Sequence, residues 1–318
     1  MAPPSLRPLG STSLKVAPFA FGGNVLGWTA DERRSFELLD AFVSAGFNLI
    51  DTADVYSRWV AGHEGGESET ILGRWLKESG RRKEVVIATK VGMEMAPDRK
   101  GLSRKHILAS AQASLRRLGV DSIDLYQAHV DDPETPLAET LGAFQELLDA
   151  GTVHAIGASN YSAARLAEAL DVSRTQGLAA FQTFQPRYNL MDRTEFEGAV
   201  ETVCRTHGLG VITYSSLASG FLTGKYRSKN DLGKSPRGVR AETRLTERGT
   251  RILGALDAVA AEHGATPAAV ALAWLMGRPS VTAPIASATS LGQLAELTSA
   301  VRLSLGPAAL ERLERASE

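Results

Sequence analysis

The chain has 318 residues, 43% of them hydrophobic, with 35 basic against 36 acidic side chains and a formal net charge of −1. That length suffices for two ordinary domains or one α/β barrel, and the composition excludes disordered and fibrous classes. Balanced, interspersed charge also excludes the single-sign surface of a nucleic-acid or anionic-membrane binder, leaving a small molecule as the expected partner. The lone Cys204 has no internal disulfide partner and is expected to be a buried thiol in a reducing compartment. Met1-Ala2-Pro3-Pro4 lacks the apolar core of a secretion signal, and the apolar run 268–276, between Pro267 and Gly277, is too short to span a bilayer. The expected location is the cytoplasm.

In chain order, Leu6 to Val16 reads as a hairpin around Gly10-Ser11-Thr12-Ser13. Short apolar or β-branched runs then alternate with amphipathic segments, the pattern of a parallel sheet wrapped by helices. Predicted strands are 18–22, 48–53, 85–90, 123–129, 153–159, 179–185, 210–215 and 281–286. Predicted helices are 32–45, 67–79, 103–118, 136–150, 162–174, 194–207, 246–263 with 266–276, and 290–300. Gly46, Gly80, Gly119, Gly151 and Gly208 stand where a helix must hand over to a strand. A last helix covers 306–317. This pattern predicts one domain over 1–318, a (β/α)8 TIM barrel with an N-terminal β-hairpin and a C-terminal helix. The stretch 218–245, rich in Gly, Lys, Arg and Ser, is long enough to be a functional lid or binding loop.

A doubly wound nucleotide-binding domain would show G-x-G-x-x-G after its first strand; Gly22-Gly23-Asn24-Val25-Leu26-Gly27 has the wrong spacing. No P-loop and no nucleophile elbow occur, and the six histidines have no metal-ligand spacing, so no metal is expected.

Barrel chemistry collects at the C-terminal ends of the strands. There the sequence places Asp51 and Tyr56 after the second strand, Lys90 at the end of the third and His129 at the end of the fourth. Each residue alone has an ordinary structural explanation: a loop staple, packing, or a snorkelling lysine. Together they form a proton-transfer device. The expectation is that Lys90 lowers the tyrosine pKa, Asp51 neutralises and orients Lys90, and His129 donates to a carbonyl oxygen or assists proton transfer at low pH.

Phe47-Asn48-Leu49-Ile50-Asp51-Thr52-Ala53-Asp54-Val55-Tyr56 with Glu67-Ser68-Glu69 and Leu72-Gly73, then Ala88-Thr89-Lys90-Val91, Asp121 through His129, and Ala155-Ile156-Gly157-Ala158-Ser159-Asn160-Tyr161 occur in order. In these motifs the chain resembles the aldo-keto reductase family, in its bacterial, potassium-channel-β-subunit-like branch. The resemblance implies a catalytic tetrad of Asp51, Tyr56, Lys90 and His129, with NADPH extended across the barrel mouth and used for reversible reduction of an aldehyde or ketone. It also implies that Gly23 and Asp51 border the cofactor, that Ser159, Asn160 and Gln185 (rather than Gln182) bond the carboxamide, and that Tyr214 stacks on the ring. Ser215, Leu217, Ser219, Gly220 and Lys225 would contact the pyrophosphate, and Ser287, Thr289 and Gln293 the adenosine phosphate. Trp28 and Trp59 would line the substrate pocket with Tyr56 and His129.

Many relatives carry a Lys or Arg near Ser287 or Thr289 and an Asn at Leu297; this chain offers uncharged groups and an apolar residue. The 2′-phosphate would then rest on the helix end, Gln293, and Arg227, Arg237 or Arg240. NADPH is still expected over NADH. Two rivals stand beside the reductase: a cofactor-sensing regulatory subunit, against which the lack of an extended N-terminal segment counts, and a lyase or isomerase with a Schiff base on Lys90.

Overall fold

The computed structural model describes residues 3–318, so Met1 and Ala2 of the N-terminal expectation lie outside the described residues. Strands β1 (Arg7–Pro8) and β2 (Lys15–Val16) form an antiparallel hairpin. Eight parallel strands then close a barrel: β3 (Ala20–Gly22), β4 (Leu49–Asp51), β5 (Val86–Val91), β6 (Ile123–Ala128), β7 (Val153–Ser159), β8 (Thr183–Gln185), β9 (Gly210–Thr213) and β10 (Ala283–Ala286), which returns to β3. Around them lie α1 (Glu32–Ser44), α2 (Glu67–Ser79), α3 (Arg104–Leu118), α4 (Leu137–Asp149), α5 (Ala163–Gln176), α6 (Ala199–Thr206), α7 (Glu247–His263), α8 (Pro267–Met276), α9 (Leu291–Ser299) and α10 (Pro307–Ser317). The fold is the (β/α)8 barrel that the alternation predicts.

Helix boundaries follow local chemistry. Ser103, Ser162, Thr246, Thr266 and Ser290 each accept a backbone N–H with their side chains at a helix start. Gly80 and Gly119 close α2 and α3 in the left-handed region, which glycine enters without steric cost.

Strand periodicity decides what faces the barrel interior. Leu49, Val86, Ala88, Leu125 and Ala155 belong to the inner cluster, whereas Ile50, Ile87, Tyr126 and Ile156 belong to the larger layer between sheet and helices. The same parity carried to the strand ends turns Asp51, Lys90, Gln127 and Ser159 inward, at the C-terminal rim. At the other end Leu9 and Val16 of the hairpin join the inner cluster. Their approach is backbone on backbone: a Cβ at Gly10 would lie 2.4 Å from the amide nitrogen of Gly210.

Two segments differ from expectation. The predicted helix 194–207 begins only at Ala199, because Gly198 stands at φ 90°, ψ −114° and breaks the helical path. The stretch 218–245 contains three 3-10 segments, Ala218–Thr223, Lys229–Lys234 and Gly238–Arg244.

Candidate active site

Lys90 is fully buried, and its ammonium gathers the neighbouring strand end around itself. Its Nζ donates to Asp51 Oδ2 at 2.7 Å, to the Thr52 carbonyl at 2.8 Å and to the Tyr56 hydroxyl at 3.0 Å. Tyr56 in turn donates to Asp51 Oδ2 at 3.3 Å. The other carboxylate oxygen, Oδ1, accepts from Gln185 Nε2 at 2.9 Å. His129, one residue past β6, stands edge-to-face against the Tyr56 ring at 5.9 Å. Its Nδ1 is buried without a hydrogen-bond partner. The four residues that the sequence places at three neighbouring strand ends thus meet at one point.

Electrostatics departs from the sequence expectation in one respect. The Tyr56 phenol is held well above its ordinary value, first by burial and then by the charge and hydrogen bond of Asp51. Lys90 does not lower it on balance, because Asp51 neutralises the ammonium and reaches the phenol itself. Burial pulls Lys90 below its usual value, with Asp51 opposing. Burial, and then the Lys90 charge, hold His129 well below 6.5, the direction that favours a neutral imidazole.

A second polar layer lies outside the sheet, directly behind the first. Glu69 on α2 accepts from Thr89 at 2.6 Å and from Arg117 on α3 at 2.7 Å. Ser68 bonds Thr52 at 2.8 Å and the Gly23 carbonyl at 2.8 Å, fixing the loop after β3 to the strand that carries Asp51. A Cβ at Gly73 would lie 2.2 Å from the Arg117 carbonyl, so α2 and α3 cross at backbone distance. The Glu67-Ser68-Glu69 and Leu72-Gly73 motif is therefore scaffold for the site. Asp54 is buried here with neither oxygen hydrogen-bonded, and burial pushes its carboxyl up to about 8.

The remaining predicted residues fall around the rim. Ser159 donates to the Gln185 carbonyl at 2.8 Å, and Asn160, at φ 58°, donates to the His129 carbonyl at 2.9 Å. Tyr214 donates to Asn160 Oδ1 at 2.7 Å. Ser215, Ser219 and Gly220 all have positive φ, with Lys225 folded against Gly220, while Leu217 accepts the Gly220 amide at 2.9 Å. Ser287 bonds Asn24 at 2.7 Å, and Thr289 donates its amide and hydroxyl to Gln293 Oε1 at the start of α9. Trp28 and Trp59 meet edge-to-face at 5.6 Å, and Trp59 meets Tyr56 at 6.1 Å. Gln182 lies elsewhere, in a cleft with Ser11 and His207 near the hairpin. Arg227 is bound bidentately to Asp257 at 2.8 and 2.7 Å.

Sequence reasoning missed Gln127, which faces Lys90 in register and lies 3.4 Å from Gln185 with its own Nε2 unpartnered. Strict alternation along β6 from Leu125 carries the signal for it. Cys204 is buried as expected, and burial pushes its thiol up to about 12. Among the described residues no helix is long and apolar enough to cross a membrane, and no group of three or more His, Cys, Asp or Glu gathers as a metal site.

Residues 18–318 match the family model of the Aldo/keto reductase family. A probable voltage-gated potassium channel subunit beta of Oryza sativa subsp. japonica is 35% identical, over 91% of this chain and 88% of its own length. An uncharacterized oxidoreductase of Bacillus subtilis, YrpG, is 35% identical over 96% of this chain and 93% of its own. The aldo-keto reductase yakc [NADP(+)] of Schizosaccharomyces pombe is 28% identical over 98% and 91%. A match across nearly the whole chain, on a barrel with these residues at its rim, identifies the chain as an oxidoreductase belonging to the aldo/keto reductase family.

Proposed function

We propose that the chain is an NADPH-dependent carbonyl reductase, acting reversibly on an aldehyde or ketone through one barrel domain, with Tyr56 as general acid and base. The observation that carries this reading is the Lys90 ammonium, shared between Asp51 at 2.7 Å and the Tyr56 hydroxyl at 3.0 Å at the C-terminal rim. A phenol kept neutral by burial and by Asp51 is a proton donor across the neutral range. Neutral His129 stands edge-to-face against the Tyr56 ring, and the two together would orient and polarise a carbonyl oxygen. Tyr56 delivers its proton to that oxygen, and Lys90 stabilises the phenolate left behind.

Bound NADPH would supply the hydride to the carbonyl carbon. The rim fits such a ligand: Gln185, Ser159 and Asn160 offer amide and hydroxyl groups side by side, and Tyr214 presents a half-buried ring beside them. The positive-φ run at Ser219 and Gly220 has the Lys225 ammonium folded against it, a cation suited to an anionic pyrophosphate. The N-terminus of α9 favours a phosphate in the place that Gln293 Oε1 fills against Thr289. The NADP(+) in the name of the Schizosaccharomyces relative supports the choice over NADH.

Turnover of 4-nitrobenzaldehyde with NADPH tests the reading. Tyr56→Phe is expected to lose on the order of 10²–10⁴ in rate while keeping NADPH affinity; a variant retaining most activity would refute the role. The relatives named as potassium channel subunits favour a second reading, a cofactor-sensing regulatory subunit with weak turnover. Single-turnover consumption without a steady state would mark that case.

A further inference from the structure

The segment after β9 folds back over the rim and is fixed along its length. Arg227 holds Asp257 at 2.7 Å, Arg244 holds Asp192 at 3.0 Å, and Tyr226 meets Ser235 at 2.5 Å. Lys229 and Lys234 pair with Glu242 and Asp231 at 3.1 and 2.6 Å. Arg237 differs from these cations. Among the described residues it has no carboxylate partner, and its Nη2 is buried without any acceptor. After burial, the strongest influence on it is the like-signed Arg240.

The position of Arg237 is specific. Its guanidinium carbon stands 5.0 Å over the Trp28 ring, and Trp28 leads through Trp59 to Tyr56 by edge-to-face contacts. Its charge reaches the phenol, pulling Tyr56 down against burial and Asp51. A guanidinium withdrawn from water with a donor unmatched is costly, and buried donors in folded proteins are overwhelmingly paired. The missing acceptor belongs on the substrate side, beside the aromatic wall and the proton donor. The groups suited to the adenosine phosphate sit elsewhere, on Asn24 and at the start of α9.

We infer that Arg237 is a specificity-determining residue, holding through its guanidinium fork a carboxylate carried by the carbonyl substrate. The fork matches a planar carboxylate bidentately, and the Trp28 and Trp59 rings accept an apolar or aryl body between that carboxylate and the carbonyl. The substrate class is thus an aldehyde or ketone with a carboxylate remote from the reacting carbon. This rests on the carbonyl-reducing reading above.

The test compares 4-carboxybenzaldehyde with its neutral methyl ester, using NADPH and the full chain, Arg237→Gln and Arg237→Lys. The wild type should favour the acid, and Arg237→Gln should lower the acid-to-ester ratio of kcat/KM by roughly ten- to hundredfold, mainly through KM. Arg237→Lys, which keeps the charge and loses the fork, should restore part of it. Calorimetric titration of 4-(hydroxymethyl)benzoate in the presence of NADPH, and fluorescence titration of NADPH itself, accompany the kinetics. An unchanged ratio overturns the assignment. So does weakened NADPH binding with the ratio intact, which would move Arg237 to the cofactor. If the wild type turns over neither aldehyde, the reductase reading fails and the calorimetry decides: benzoate binding lost in Arg237→Gln keeps the carboxylate site, and equal binding removes it.

Discussion

Gln185 and Asp51, 134 residues apart in sequence, are joined by a 2.9 Å hydrogen bond from Nε2 to Oδ1 across the barrel interior. That bond leaves Oδ2 to Lys90, so the carboxylate is divided between an amide donor and an ammonium. Asp51 is thereby fixed from both sides, and the buried Lys90 ammonium depends on it.

Removing either member of this pair should therefore be expensive. Asp51→Asn or Lys90→Met is expected to destabilise the fold by about 3–5 kcal/mol, because each leaves one buried charge unpaired. The double variant should recover much of that loss, which urea denaturation of the four proteins measures as a coupling energy.

The pH dependence of turnover reports on the neighbours. His129 lies well below 6.5 and Tyr56 well above 10.0, so neither changes protonation between those values. Reduction should be flat across this window. Alcohol oxidation, which needs the phenolate as base, should rise about tenfold per pH unit through it. A limb near neutrality in the reductive direction would show that Lys90 outweighs Asp51 at the phenol.

Asp54 makes stability itself pH-dependent. Its carboxyl moves from 3.8 to about 8 on burial. Below the lower value both states hold the proton; between the two values only the folded state does, so stability falls as pH rises toward about 8 and then levels. The gap sets a ceiling of about 6 kcal/mol, reduced in practice by relaxation and water entry. Asp54→Asn should flatten the curve of unfolding midpoint against pH over that interval.

Gly238 tests how the rim segment is held. A Cβ there would lie 1.7 Å from the Leu232 carbonyl, so Gly238→Ala must displace the loop that carries Arg237. The expected result is faster proteolysis within 229–244, with the global unfolding midpoint little changed, since the barrel does not depend on this contact.

Much of this was legible in the sequence because two periodicities survive any tertiary context. Alternation placed the strands, and its parity at the strand ends brought Asp51 and Lys90 inward together. The start of α6 was not legible, since Thr194 to Glu197 read as helical until Gly198 takes its positive φ. The direction of the Tyr56 pKa was hidden for a different reason. It depends on whether ammonium or carboxylate lies nearer in effect to the phenol, a balance of distances and burial that residue types do not encode. Arg237 was legible as a loop cation offered to the 2′-phosphate; its seat over Trp28 depends on how that loop folds back.

The hairpin beneath the barrel has a kinetic meaning as well as a structural one. With Leu9 and Val16 stoppering the floor, the interior is a cup and not a tube. Whatever lies deepest must arrive first and leave last, and everything that arrives or leaves crosses the same rim. Changes at the floor should alter how firmly the cup holds together; changes at the rim should alter what it admits, and in which order.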